Sequence, residues 1–185
     1  FGEYIYISSN YGQTWSSVQT PGKKYWRSIS LSASGQYQTA VNSWDSTLAS
    51  NGEIWVSSDF GITWENKSPS GITDVAWYSV SISASGKYQT AVILDGSNNG
   101  EGFIWTSSDY GQTWDDTWSS NNLDANGNPI SYEWSAVSIS ASGQYQSAGI
   151  SNGDIYKSFD FGLTWNKIGV GTYSWSSISV SATGQ

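Results

Sequence analysis

The chain has 185 residues, a formal charge of −8 from 15 acids against 7 bases, and no His, Cys or Met. Imidazole and thiolate metal sites, Ser-His-Asp and Cys-His catalysis, and haem or iron–sulfur ligation each lose an essential group, and a single arginine, Arg27, argues against nucleic acid or anionic membrane as partner. Twelve Trp within a 16% aromatic and 12% charged composition is the reverse of a disordered one, and describes a folded, Ser-rich β protein forming one domain over residues 1–185.

In chain order the first motif is Ser8-Ser-Asn-Tyr-Gly-Gln-Thr-Trp15. It returns as Ser57 to Trp64, Ser107 to Trp114 and Ser158 to Trp165, with closing tryptophans 49, 50 and 51 residues apart. A second motif alternates with it, running from Trp26 to Gly35, Trp77 to Gly86, Trp134 to Gly143 and Trp175 to Gly184. Ser79-Val-Ser-Ile-Ser83 alternates small polar and branched apolar residues, the period of a strand with two distinct faces. Ala84-Ser85-Gly86 reads as a hairpin turn, Tyr88 to Val92 as the returning strand, Ile104 to Ser108 as a third, and Thr113-Trp114 as the start of a fourth. No stretch carries an apolar stripe of helical period or approaches the ~20 apolar residues of a membrane span. Four short antiparallel strands per ~50-residue period is the pattern of β-propeller blades.

The Ser-x-Asp-x-Gly-x-Thr-Trp unit has a local logic. Asp59, Asp109 and Asp160 can accept backbone N–H groups two residues on, and Asn10 keeps that acceptor oxygen in the first copy. Gly12, Gly61, Gly111 and Gly162 permit a left-handed backbone. Trp15, Trp64, Trp114 and Trp165 return a large apolar surface to the blade. With Trp26, Trp77, Trp134, Trp175, Trp55 and Trp105 they are phased with the repeat, and inter-blade packing is expected of all ten.

These four copies resemble Asp-box repeats, also called bacterial neuraminidase repeats, over essentially the whole chain. Members of that family include sialidases, xyloglucan-degrading hydrolases, sortilin-type receptors and a photosystem II assembly factor. The resemblance implies an all-β propeller of four-stranded antiparallel blades, about four of them here, and treats the Asp-box as a structural turn rather than a catalytic one. Fold and activity are therefore separate questions. The motif count starts at a third strand and ends after a first strand, which leaves three readings. They are a window on a longer chain, a compact four-bladed ring, and an assembly in which a neighbour supplies the missing strand.

Trp44 and Trp118 fall out of phase in variable loops and are candidate sugar-stacking rings, set against burial under a loop. Asp45, Asp74, Asp95, Asp115, Asp116, Asp124 and Asp154 lie outside the Asp-boxes, and two of them at ~5–9 Å would allow glycoside hydrolysis. Sialidases resemble one another in clasping substrate with three arginines, so Arg27 alone excludes that activity. Asp124-Ala-Asn-Gly-Asn128 is a weak calcium-loop likeness with the Gly too early, and no other cofactor or metal is expected. Asn66-Lys67-Ser68 is an N-glycosylation sequon on an exposed edge. The expectation is a non-catalytic extracellular module with a glycan or protein ligand, or self-assembly through unpaired edges. A xyloglucanase-type hydrolase is the alternative, and a photosystem-assembly scaffold a third reading.

Overall fold

The computed structural model describes residues 2–44, 51–95 and 102–185. All its regular elements are strands. β1 (Ile5–Ile7) pairs antiparallel with β2 (Ser16–Val18). Three meanders of four strands follow. The first is β3 (Tyr25–Leu31), β4 (Gln38–Ser43), β5 (Glu53–Ser57) and β6 (Glu65–Asn66). The second is β7 (Ala76–Ile82), β8 (Gln89–Asp95), β9 (Ile104–Ser107) and β10 (Asp115–Asp116). The third is β11 (Trp134–Ile139), β12 (Gln146–Ile150), β13 (Ile155–Ser158) and β14 (Asn166–Lys167). Segment 175–185 then lies along the third meander. This is a partial β-propeller of about four blades: three complete, β1–β2 as the outer half of one before them, and 175–185 as the inner edge of another. The fourth strands are shorter than the sequence suggests, because Thr113-Trp114 and its counterparts are spent on the preceding corner.

The composition of each strand follows from its place between neighbouring blades. β4 and β12 are buried along their whole length and carry no charged residue, their buried polar groups being uncharged Gln, Thr, Asn and Ser. The inner strands alternate Ser with branched apolar residues for a tertiary reason. Val80 and Ile82 donate their N–H groups to the hydroxyls of Ser28 and Ser30 at 3.2 and 3.1 Å. Val137 and Ile139 do the same to Ser79 and Ser81, and Val180 to Ser138. A two-atom side chain is short enough to let inner strands of different blades approach near the axis and still bond. The hairpin turns form a parallel chain of contacts: Ala33 N–H donates to Ala84 O, Ala84 to Ala141, and Ala141 to Ala182.

Apolar clusters fill the spaces between blades. Val56, Trp77, Val80, Ile82 and Trp114 form one, and Ile104, Trp118, Trp134, Tyr156 and Trp165 another. A smaller third joins Ile5 and Val18 to Trp64. Trp64, Trp114 and Trp165 thus each pack against the blade before their own.

Candidate functional site

The Asp-box corners are built alike. In the second copy Asp59 Oδ1 accepts Ser57 Oγ at 2.9 Å and Thr63 N at 2.8 Å, while Oδ2 accepts Thr63 Oγ1 at 2.6 Å. Ser57 Oγ accepts Gly61 N at 2.9 Å, and Trp64 Nε1 closes the turn on Gly61 O at 3.0 Å. Asp109 and Asp160 repeat the set on Thr113 and Thr164. Two residues in a row are left-handed: Phe60 at φ 64° before Gly61 at 83°, with Tyr110, Phe161 and Tyr11 in the same state. The aromatic residue before the glycine was not anticipated; its signal is its presence in all four copies. At Asn10 the pattern survives with one reversal, since the amide Nδ2 now donates to Thr14 Oγ1 at 2.8 Å.

Thr63's hydroxyl and N–H hold the Asp59 carboxyl below its ordinary range. At Asp109 and Asp160 partial burial pushes the other way, and the threonine and serine bonds outweigh it. A carboxyl depressed on folding stabilises the fold above its unfolded pKa of about 3.9 and loses that contribution as pH falls through the folded value. The chain is therefore expected to lose stability progressively below about pH 4. Replacing Asp59, Asp109 and Asp160 with Asn, as position 10 already has, is expected to flatten that loss. Urea midpoints at neutral and acid pH check it, and an equally steep fall in the triple variant rejects it.

The loop carboxylates serve local structure. Asp116 accepts Trp118 N and Ser119 N at 3.0 and 2.9 Å. Asp124 accepts Asn128 N and Asn126 N, and these bonds hold its carboxyl low. Asp154 is buried; that burial raises its carboxyl, and N–H bonds from Val170 and Ile155 with Lys167 at 3.4 Å lower it further than burial lifts it. Among the described residues no three acidic side chains converge as a metal site would require. Asp45, Glu101 and the side chain of Asp95 lie outside the described residues.

Trp118 is not a surface ring. It is 1% exposed, with Trp134 at 4.8 Å, Tyr156 at 5.0 Å and Tyr132 at 5.7 Å, and its Nε1 donates to Ile130 O. The loop folds it inward because that aromatic cavity accepts it. Burial also pushes the Tyr156 hydroxyl well above its ordinary pKa, helped by its hydrogen bond with Tyr132. Trp44 is exposed. Asn66 is exposed too, and its Oδ1 accepts Ser68 N and Ser68 Oγ at 2.9 and 2.7 Å.

What the geometry brings together instead is an uncovered blade face. Val80 and Ile82 on β7 and Val137 and Ile139 on β11 are buried, whereas their counterparts on β3, Ile29 and Leu31, are 46% and 51% exposed. Trp15 is 62% exposed, although Trp64, Trp114 and Trp165 are buried. Two cavities adjoin β1 on this side. One of about 520 Å³ is lined by Ile7, Ser8, Leu31, Gly35, Gln38 and Phe60 among others. The other, about 260 Å³, is lined by Tyr4, Tyr6, Trp26 and Ile29 among others. Among the described residues the lining of these cavities is apolar side chains and hydroxyls, with Gln38 and Arg27.

Comparison with known proteins agrees with the architecture. Residues 54–67 and 104–117 match the BNR-Asp box repeat family. No curated protein sequence matches the chain. A solved structure of YCF48 bound to D1 peptide is similar at 18% identity and a TM-score of 0.61, over 89% of this chain and 46% of that one. A GH74 xyloglucanase from Xanthomonas campestris is similar at 13% identity and a TM-score of 0.63, over 91% and 27%. A nidogen/laminin complex is similar at 12% identity and a TM-score of 0.63, over 95% and 60%. The chain thus spans about half of the first structure's length and about a quarter of the second's. At these identities the likeness concerns the fold.

Proposed function

We propose that this chain, an Asp-box repeat protein built as a partial β-propeller, is a non-catalytic structural and interaction module whose ligand is a protein. The observation that carries the reading is that the loop carboxylates Asp116, Asp124 and Asp154 are each engaged by nearby backbone N–H groups, as structural acids are. Two of the similar structures are complexes between polypeptides, YCF48 bound to D1 peptide and a nidogen/laminin complex, which supports a polypeptide as ligand here. A glycan ligand has less support, since of the two out-of-phase rings only Trp44 faces solvent. An extracellular location belongs to the same proposal, supported by the sequon at Asn66 standing exposed at the end of β6.

The hydrolase reading makes a different demand. The purified chain is expected to release no reducing sugar from xyloglucan or other β-glucans. Turnover that Asp115→Asn, Asp116→Asn or Asp154→Asn removes would overturn the non-catalytic reading.

A further inference from the structure

We propose that the pocket at the start of the third meander receives the ammonium group of a lysine side chain carried by a partner polypeptide. This rests on the protein-binding reading and names the chemistry by which the partner is held.

The pocket has a volume of about 340 Å³ and is lined by Tyr132, Glu133, Asp154, Tyr156 and Lys167 among others. It lies between the link that enters the third meander and the turn joining β12 to β13, where Ser151 N–H donates to Glu133 O at 2.7 Å. Asp154 is 9% exposed, and one of its oxygens is committed to the fold: Oδ1 accepts the N–H groups of Ile155 and Val170 at 3.0 and 2.8 Å. Oδ2 is left to Lys167 Nζ at 3.4 Å, on a side chain that is 60% exposed. Glu133 is exposed, and among the described residues no lysine or arginine pairs with it. Two carboxylates therefore share one loosely held lysine beside two aromatic rings.

The chain shows what such an arrangement holds, at the equivalent place in the first meander. Counting back from the Asp-box serine, Glu53 and Trp55 stand where Asp154 and Tyr156 stand. Counting back from the inner-strand tryptophan, Lys24 stands where Tyr132 stands. Lys24 Nζ lies 2.6 Å from Glu53 Oε2 and 5.4 Å from the centroid of the Trp55 ring, and both charged side chains are largely buried. An ammonium held by a carboxylate and an aromatic ring is the chain's own filling for this place. In the second meander the acid is replaced by Phe103 and the lysine by Val75, and Trp105 Nε1 has no partner. The third meander keeps acid and ring but has Tyr132 for the lysine, its hydroxyl bonded to that of Tyr156. Lys167 is a weaker counterpart than Lys24, at 3.4 Å rather than 2.6 Å and 60% rather than 11% exposed, and such exposed pairs are easily displaced. An incoming ammonium gains Asp154 Oδ2, Glu133 and the tyrosine rings together. A guanidinium gains less, because its fork needs two free carboxylate oxygens and Oδ1 is already taken. The formal charge of −8 favours the approach of a basic segment.

Nα-acetyl-lysine N-methylamide is the probe, titrated into the full chain and followed by NMR through the amides of Tyr132, Glu133 and Asp154. Saturable shifts are expected, and none with the norleucine derivative, which lacks the ammonium. Asp154→Asn and Glu133→Gln are each expected to weaken binding about threefold; Glu133 is exposed, so its variant serves even where the change at Asp154 disturbs the fold. Lys167→Ala is expected to tighten binding by a similar factor, by removing the competing cation. Lys157→Ala makes the same change in charge outside the pocket and should leave the affinity as it was. No saturable shift, equal binding of the norleucine derivative, or indifference to all three pocket variants overturns the inference and leaves the non-catalytic protein-binding reading standing, which the β-glucan assay tests separately. Cellobiose that shifts these amides where the lysine derivative does not would also overturn it, by making the pocket a sugar site.

Discussion

Trp118→Ala is expected to destabilise the fold by about 3–5 kcal/mol, as truncation of a fully buried indole does when its surroundings relax only in part. The ring is enclosed by Trp134, Tyr132 and Tyr156, in edge-to-face contacts with interplanar angles of 60–88°. Its backbone carbonyl also accepts Asn121 N–H and Asn122 N–H, so the loop turns around it. Removing the ring opens a void between the second and third meanders and leaves Ile130 O without the indole donor. For a chain of this length that corresponds to a melting point lower by about 10 °C. Thermal denaturation followed by tryptophan fluorescence reads it directly. A variant that melts normally yet loses affinity for an oligosaccharide would instead establish Trp118 as a sugar platform.

Gly102→Ala is expected to cost about 3 kcal/mol, at the upper end of overpacking penalties, because the obstacle is main chain. A Cβ there would lie 1.8 Å from Tyr132 O and 3.1 Å from Ile93 O. Gly102 O accepts Trp134 Nε1 at 2.8 Å and Tyr132 N–H at 3.2 Å, and its N–H donates to Ser131 Oγ at 2.8 Å. The residue is thus the point where the second meander is tied to the start of the third, and no side-chain rotation can make room. Gly52 repeats the arrangement against Val75 O at 1.9 Å. Urea midpoints of Gly102→Ala and Gly52→Ala should fall together. A midpoint within error of the parent chain for either one would show that the two backbones separate without penalty.

Most of the architecture was legible without coordinates. Motif spacing, the period of two in Ser79 to Ser83 and the Asp–Gly–Trp corners are local properties, and local hydrogen bonds impose them wherever they occur in the chain. The acceptor role of Asp59, Asp109 and Asp160, and its survival at Asn10, required only the chemistry of a short carboxylate or amide beside backbone N–H groups. Tryptophan phase was legible too, with a limit shown by Trp15, whose burial needs a blade that does not cover it here.

The remainder is decided by which surfaces meet. Trp118 reads as a loop ring in one dimension and becomes the roof of an aromatic cluster in three, because burial depends on what faces a side chain and not on what precedes it. The tyrosine after each hairpin glycine looks like one more strand residue; only stacked blades reveal that a ring also lies on Gly86, Gly143 and Gly184, whose left-handed backbone already favours glycine. That relation spans two repeats, so periodicity within one repeat carries no trace of it. Gly35 has the same sequence context as the others, and among the described residues nothing lies within 4 Å of its Cβ position.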